Sequence, residues 1–433
     1  MAADILILTF GSLGDVLPLA ALGGRLVRRG HRVRLWCGEL HRPMVARLGV
    51  EALALEPSPL PALAVQASPV KQSPQMWRRV EEGLQAGYAA IAAEADAAAR
   101  TPGRAPPVLV ASSFALAGRL AQERLGLPLA TVHLSPMCLA SFLDPPPIGD
   151  LVVPGWMPRP LRPLLGRTME RWLFDPVTAR ALNALRRDLG LPPVRHVLSR
   201  WLHSPQAVLG LFPDWFGWPQ PDWPAATRLL DFPLADACDD PVLAAPDPAL
   251  EAFLAAGAPP VVFYPGSARR QAGPFFDEAL RACERGGRRA LLLTRYREHV
   301  RAGAALPAWA LQRDYVPLGP LLRRSAALVH CGGIGTLAQG LAAGCPQLLL
   351  PYTFDHFDNA RRLRRLGLAR ASRRADWGGE LDALLADRAL HARCQADAGR
   401  IAPPGDALER AADAVERLAG QHAGPPAATA TAG

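Results

Sequence analysis

The chain has 433 residues, half of them apolar and a fifth charged, with a formal net charge of +9. That length holds two ordinary domains, each with its own core, and no run of about 18 uncharged apolar residues marks a membrane span. Seven scattered cysteines without paired spacing argue against a disulfide framework or a zinc module and fit a reducing cytoplasm. Nearly all the positive charge is arginine, Lys71 being the sole lysine. It is dispersed and not interleaved with aromatics, so no nucleic-acid partner is expected. A basic face instead suits an anionic membrane surface or an anionic substrate. The start, MAADILILTF, has no basic region before its apolar run, so no signal peptide is expected.

Residues 4–37 read as a strand, a helix and a strand. Ile5 to Leu8 is apolar throughout, as in a strand buried on both faces. Phe10 to Gly14 is a glycine-bearing turn, and the helix after it carries Val16, Leu19, Leu22 and Leu26 on one face and stops at Gly30. Further strands are expected at 108–110, 129–132 and 207–211, with alanine-rich helices at 76–99 and 114–125. The pattern is that of a doubly wound α/β domain spanning residues 1–230.

Proline, aspartate and tryptophan crowd residues 212–247, and the linker is placed at 231–247. Alternation restarts with strands at 260–264, 289–294, 326–330 and 347–350 and helices at 274–286 and 336–343. This is a second Rossmann-like domain, 248–404. The amphipathic segment at about 405–420 is expected to dock back on the first domain, and the small, polar residues 421–433 to be disordered. Two such domains leave a cleft between the C-terminal edges of their strands, where ligands bind in open α/β sheets.

The richest segment of the second half is the turn from His330 through Gly332, Gly333 and Gly335 to Thr336. A strand ends at His330, glycines let the backbone approach a ligand, and a helix is expected to begin at Thr336. Its amides and dipole suit a pyrophosphate, to which His330 and Thr336 can donate further hydrogen bonds. Gly333 to Ala338 also fits the GxGxxA dinucleotide fingerprint, so an NAD-dependent oxidoreductase is the competing reading.

The histidine–glycine turn, the strand from Pro346 and the run Asp355-His356-Phe357-Asp358-Asn359, in this order, resemble the donor signature of family 1 glycosyltransferases of the GT-B fold. The resemblance implies that Asp355 and His356, the latter in place of the family's usual glutamine, hold sugar hydroxyls, with Asn359 on the same side one turn later. It also implies that Ser267, after Gly266, touches the diphosphate and that Tyr315 and Val316 hold the base. The turn Gly11-Ser12-Leu13-Gly14-Asp15 resembles that of bacterial antibiotic and lipid glycosyltransferases, where the aspartate is the general base. Read alone, Asp15 is a good helix cap. Beside the donor signature it is assigned as the base, because a hydroxyl is a poor nucleophile until a carboxylate takes its proton. No Asp-x-Asp element sits at a strand end, so neither a metal nor a cofactor is expected.

Trp201-Leu202-His203, Trp215, Trp223 and the runs around them resemble the catalytic rhamnosyltransferase chains of rhamnolipid synthesis. This implies dTDP-L-rhamnose as donor and a 3-(3-hydroxyalkanoyloxy)alkanoic acid as acceptor, with another dTDP- or UDP-sugar and another apolar acceptor as the alternative. Such an acceptor is compatible with peripheral attachment to the inner face of the cytoplasmic membrane, or with a partner acyl-transfer chain. Segments 57–77 and 134–165 are the expected walls of an apolar groove.

Overall fold

Strands that are apolar on both faces need cover on both sides, and the chain supplies it twice. The computed structural model describes residues 2–54, 69–147, 153, 157–235, 245, 247–266, 272–300 and 306–422. The first sheet is entirely parallel and comprises β1 (Asp4–Leu8), β2 (Arg32–Cys37), β3 (Glu51–Ala54), β4 (Val108–Ser112), β5 (Leu129–His133), β6 (Ala207–Gly210) and β7 (Thr227–Leu229). Its strand order is β3-β2-β1-β4-β5-β6-β7. The second, also parallel, comprises β8 (Val261–Tyr264), β9 (Ala290–Leu293), β10 (Ala310–Arg313), β11 (Ala327–His330), β12 (Gln347–Leu349) and β13 (Ala369–Ala371), in the order β10-β9-β8-β11-β12-β13. Both sheets reverse direction of growth between their first and fourth strands, and such a reversal opens a crevice at the C-terminal strand edges.

Alternate side chains of β1 enter different cores. Ile5 and Ile7 join Val16, Leu19 and Leu22 of the helix Leu13–Arg28, whereas Leu6 and Leu8 pack with Val80, Leu84 and Ile91 on the other face. Each such aliphatic side chain, fully buried, contributes about 1.5–3 kcal/mol. In the second sheet Val261 and Phe263 face one cluster and Val262 the other.

The C-terminal helix Asp406–His422 lies on the first domain, burying Leu408, Ala411, Val415 and Leu418 against the cluster that holds Ile5 and Val16. Arg29 fixes it through Asp413 at 2.7 Å and Glu416 at 2.9 Å. Residues 421 and 422, expected to be disordered, extend this helix, where His422 donates from Nδ1 to the Leu418 carbonyl and accepts at Nε2 from the Gln206 amide. The rest of that tail, linker residues 236–244 and 246, groove residues 57–68, 148–152 and 154–156, and Ser267 lie outside the described residues. Residues 69–77 are the first turns of the helix Pro69–Arg100 rather than irregular chain. The aromatic segment after β6 is packing material: Phe212, Phe216 and Phe232 are fully buried in one cluster with Phe263 and Phe276, with Trp215 and Trp223 against them.

Candidate active site

β1 delivers the chain to Gly11 at the first switch point. Gly11 has φ +137°, and a β-carbon there would lie 2.1 Å from Asp15 Oδ2, so only glycine leaves room for the carboxylate that folds back over it. Ser12 donates to Asp15 Oδ2 from its amide at 2.6 Å and from its hydroxyl at 3.0 Å. Asp15 therefore caps its own helix and also stands in the crevice. Gly14 is exposed beside it. Burial raises the Asp15 carboxyl above its ordinary value against the pull of the Ser12 bonds, which makes it a stronger base.

Behind this turn lies a chain of buried polar groups that the sequence reading missed. Ser112, ending β4, accepts the Phe10 amide at 3.1 Å. Ser113 bonds His133 Nδ1 at 2.8 Å, and His133 Nε2 bonds His203 Nδ1 at 2.9 Å. Burial holds His133 well below its usual value and His203 at about 4, so both rings are neutral. The available signal was a histidine at the C-terminal end of an apolar strand, where a side chain reaches the crevice. Cys138, past β5, bonds Ser113, and its thiol is pushed up to about 12 by burial and by the charges of Asp355 and Asp15.

The second switch point is built differently. Gly332 has φ +100°, and a β-carbon there would press within 3.2 Å of Leu349 and 3.3 Å of the His356 carbonyl. The helix begins at Ile334, two residues before the expected Thr336, with Gly333 as N-cap and the first helical bond running from the Leu337 amide to the Gly333 carbonyl at 3.0 Å. The amides of Ile334, Gly335 and Thr336 are thus its first-turn donors, and Gly335 is exposed. With no acidic side chain in that turn, they and the dipole form an anion site.

His330 does not serve as the direct phosphate donor expected of it. It is fully buried, Nδ1 accepts the Gly332 amide at 3.2 Å, and Nε2 bonds Gln347 at 3.0 Å. Burial lowers it to about 4. Its part is to shape the turn.

The helix His356–Leu366 closes the site. Asn359, fully buried, donates to the Gly332 carbonyl at 2.9 Å and to Asp355 Oδ2 at 2.8 Å, so it ties Asp355 to the anion turn rather than facing the cleft. His356 stacks edge-on against Tyr352, 4.9 Å between centroids, with Nε2 3.8 Å from Cys331 Sγ beneath the glycine turn. Asp355 is raised to about 7 by burial first and then by the Asp15 charge. The charge of Asp15, from the first domain, thus reaches the Asp355 carboxyl of the second. Tyr315 is partly buried beyond β10, whereas Val316 packs its side chain with Leu318 and Leu250.

The dinucleotide reading loses its footing. The GxGxxA run follows β11, the fourth strand of its sheet in chain order, whereas the fingerprint belongs after the first. The strand after it ends at Leu349 without an acid.

Residues 5–143 match the glycosyltransferase family 28 N-terminal domain, and residues 292–397 the erythromycin biosynthesis protein CIII-like C-terminal domain. The chain is 32% identical over 393 residues, 84% of each chain, to the O-mycaminosyltylonolide 6-deoxyallosyltransferase of Streptomyces fradiae. It is 32% identical to glycosyltransferase GtfE of Amycolatopsis orientalis, again over 84% of each. Its fold matches the calicheamicin glycosyltransferase CalG4 (TM-score 0.67, 20% identity, 98% of this chain and 100% of that one). It also matches the spinosyn rhamnosyltransferase SpnG complexed with thymidine diphosphate (TM-score 0.62, 20% identity, 95% and 100%).

Proposed function

We propose a reaction for this chain on one premise: it belongs to the family 1 glycosyltransferases of the GT-B fold, and it is a glycosyltransferase that uses a nucleotide sugar. The reading is transfer of L-rhamnose from dTDP-L-rhamnose to the hydroxyl of a 3-(3-hydroxyalkanoyloxy)alkanoic acid, with inversion. The observation that carries the chemistry is the meeting of Asp15 and Asp355 between the two switch points, with the open helix N-terminus alongside.

In this reading Asp15 takes the acceptor's hydroxyl proton as the oxygen attacks the anomeric carbon. The new carbon–oxygen bond forms as the bond to the diphosphate breaks. The leaving dTDP takes the electron pair, and the amides of residues 334–336 with the helix dipole stabilise its charge, in the role a metal ion fills elsewhere. Asp355 and His356 orient the sugar, Tyr315 and the Val316 backbone hold the base, and Ser267 adds a diphosphate contact. One in-line displacement inverts the anomeric configuration.

SpnG, a rhamnosyltransferase with thymidine diphosphate, supports the donor assignment. The tryptophan-rich runs around 201–223 support the lipid acceptor. A second acceptor, a bulky antibiotic aglycone, is favoured by the relative named for O-mycaminosyltylonolide.

The test is a calorimetric titration with dTDP, UDP and NAD without added metal. It is followed by mass spectrometry of reactions holding dTDP-L-rhamnose and either a hydroxyacyl lipid or a macrolide aglycone. Tighter dTDP binding and a rhamnosylated lipid are expected, unchanged by a chelator. Transfer to the macrolide alone would replace the acceptor, and loss of turnover with chelator would end the metal-free mechanism.

A further inference from the structure

The helix His356–Leu366 has two working faces. One carries Asp355 and Asn359 against the Gly332 turn. The other carries Arg361, which reaches into the first domain: Nη1 bonds Asp144 Oδ1 at 2.8 Å and Nη2 bonds Oδ2 at 3.2 Å, a fork on both carboxylate oxygens. Arg362, next along, donates to the carbonyls of Phe216 and Gly217 at 3.0 and 2.8 Å. Both arginines share the fully buried Asp358.

Asp144 belongs to a loop that is itself built. Asp222 accepts from the Ser141 hydroxyl and the Phe142 amide, each at 2.7 Å, and Ser141 Oγ accepts the amides of Leu143 and Asp144. Six residues before Asp144, Cys138 feels the charges of both Asp15 and Asp355, so this loop lines the space where the domains meet. Burial pushes the Asp144 carboxyl up, but the Arg361 bonds outweigh it and hold it below its ordinary value. The fork is therefore formed and charged at neutral pH.

We propose that the Asp144–Arg361 fork is a positioning contact that carries donor occupancy to the acceptor side of the cleft, through the rigid helix that holds Asp355 at its start. The proposal rests on the donor reading above. A short helix moves as one body, and Asn359 ties it to the Gly332 turn at 2.9 Å, so a diphosphate seated on that turn sets the place of Arg361, and the fork sets the place of the 141–144 loop. Of the other arginines that act on Asp144, Arg362 stands at 3.9 Å, too far for a hydrogen bond that keeps the loop's register, and Arg365 acts only through its charge.

The experiment uses dTDP as the probe and amide hydrogen exchange of residues 141–144 as the readout, on the full chain. In the wild type, saturating dTDP should slow exchange there by at least about threefold, as expected when a ligand biases a coupled element. Asp144→Asn and Arg361→Gln should each abolish that response while dTDP affinity stays within about twofold, and the double variant should be no worse than either single one. Arg361→Lys, which keeps the charge, should restore part of it.

A wild-type response that survives Asp144→Asn overturns the proposal, as does a dTDP-saturated wild type whose loop does not respond. A wild type that binds no dTDP overturns the donor reading itself, and the two failures are told apart by the titration. A contact that merely holds the domains together would change the melting temperature and leave the dTDP response in place.

Discussion

The two switch-point turns are built on one plan and do opposite things. Gly11-Ser12-Leu13-Gly14-Asp15 and Gly332-Gly333-Ile334-Gly335-Thr336 both follow a buried strand, and both begin with a glycine at positive φ, +137° and +100°. Their helix caps fall at Ser12 and Gly333, and Asp15 and Thr336 hold the same third helical position. In the first turn that residue is an acid that takes up the cap amide for itself, so the turn repels anions and carries the carboxylate proposed as the base. In the second it is neutral and leaves the first-turn amides without an acidic partner, which suits the diphosphate proposed for it. In the proposed mechanism this one side chain sets the two turns apart, as base and as phosphate site.

The sharpest way to break the comparison is to neutralise the first turn. Asp15→Asn keeps a side chain that still accepts from Ser12, so the helix cap survives, but no carboxylate remains. Turnover should fall by about 10²–10⁴-fold while calorimetric dTDP affinity holds within about twofold. Near-normal turnover would remove Asp15 as the base. The converse change makes the second turn into the first. Thr336→Asp should fold normally, its carboxylate taking the Gly333 amide as Asp15 takes that of Ser12. A negative charge about 4 Å from the diphosphate costs about 4 kcal/mol near a protein surface, so dTDP affinity should drop on the order of 1000-fold. If dTDP binds Thr336→Asp unchanged, the diphosphate lies elsewhere.

The meeting of the turns has a signature in pH. Asp355 is raised from the ordinary carboxylate range to about 7, by burial and then by Asp15. Between about pH 4 and 7 the folded chain keeps a proton that the unfolded chain has released, so this group's contribution to stability is lost as pH rises through that window. His133 and His330, held neutral by burial, act in the opposite sense below their usual value, so the comparison must be with a variant. Asp355→Asn should match or fall below the wild type in melting temperature at pH 5 and gain on it by a few degrees at pH 8. A constant difference across that range would mean that the Asp355 carboxyl is not raised in solution.

Much of this plan was legible in the sequence. Strands apolar on both faces, such as β1, β4 and β11, announce a parallel sheet, and glycine-bearing turns after them mark the switch points. The strands that the reading did not find are β3, β7, β10 and β13, which are the four sheet edges. An edge strand has cover on fewer sides, so its sequence, EALA or TRL, needs no unbroken apolar run. Site residues were legible as types and misleading as partners. His330 looked like a donor to phosphate, but its ring turns inward to Gly332 and Gln347, and Asn359 binds the donor turn and Asp355. Orientation of that kind depends on the His330–Gln347 and Asn359–Gly332 contacts, 17 and 27 positions apart, which no local spacing encodes. The Ser113–His133–His203 chain, spread over 90 positions, was out of reach for the same reason.

The smallest expected effect tests the glycines that the two turns share. Gly14 and Gly335 occupy the second helical position of their helices, and neither needs a positive φ. A β-carbon at Gly335 would meet no atom within 4 Å, and one at Gly14 would make an ordinary contact with Ser12 Oγ at 3.7 Å. Alanine should therefore fit both sites and add up to about 1 kcal/mol of stability at each, because glycine is the poorer helix former. The functional outcomes should separate. At Gly335 the new methyl stands where a diphosphate approaches the open amides, and lengthening one such hydrogen bond costs about 1 kcal/mol, or roughly fivefold in dTDP affinity. At Gly14 the amide end is already taken by Asp15, and dTDP affinity should not change. Equal behaviour of the two variants in a dTDP titration would mean that Gly335 serves the helix alone, and that the exposed amide beside it is not where the phosphates lie.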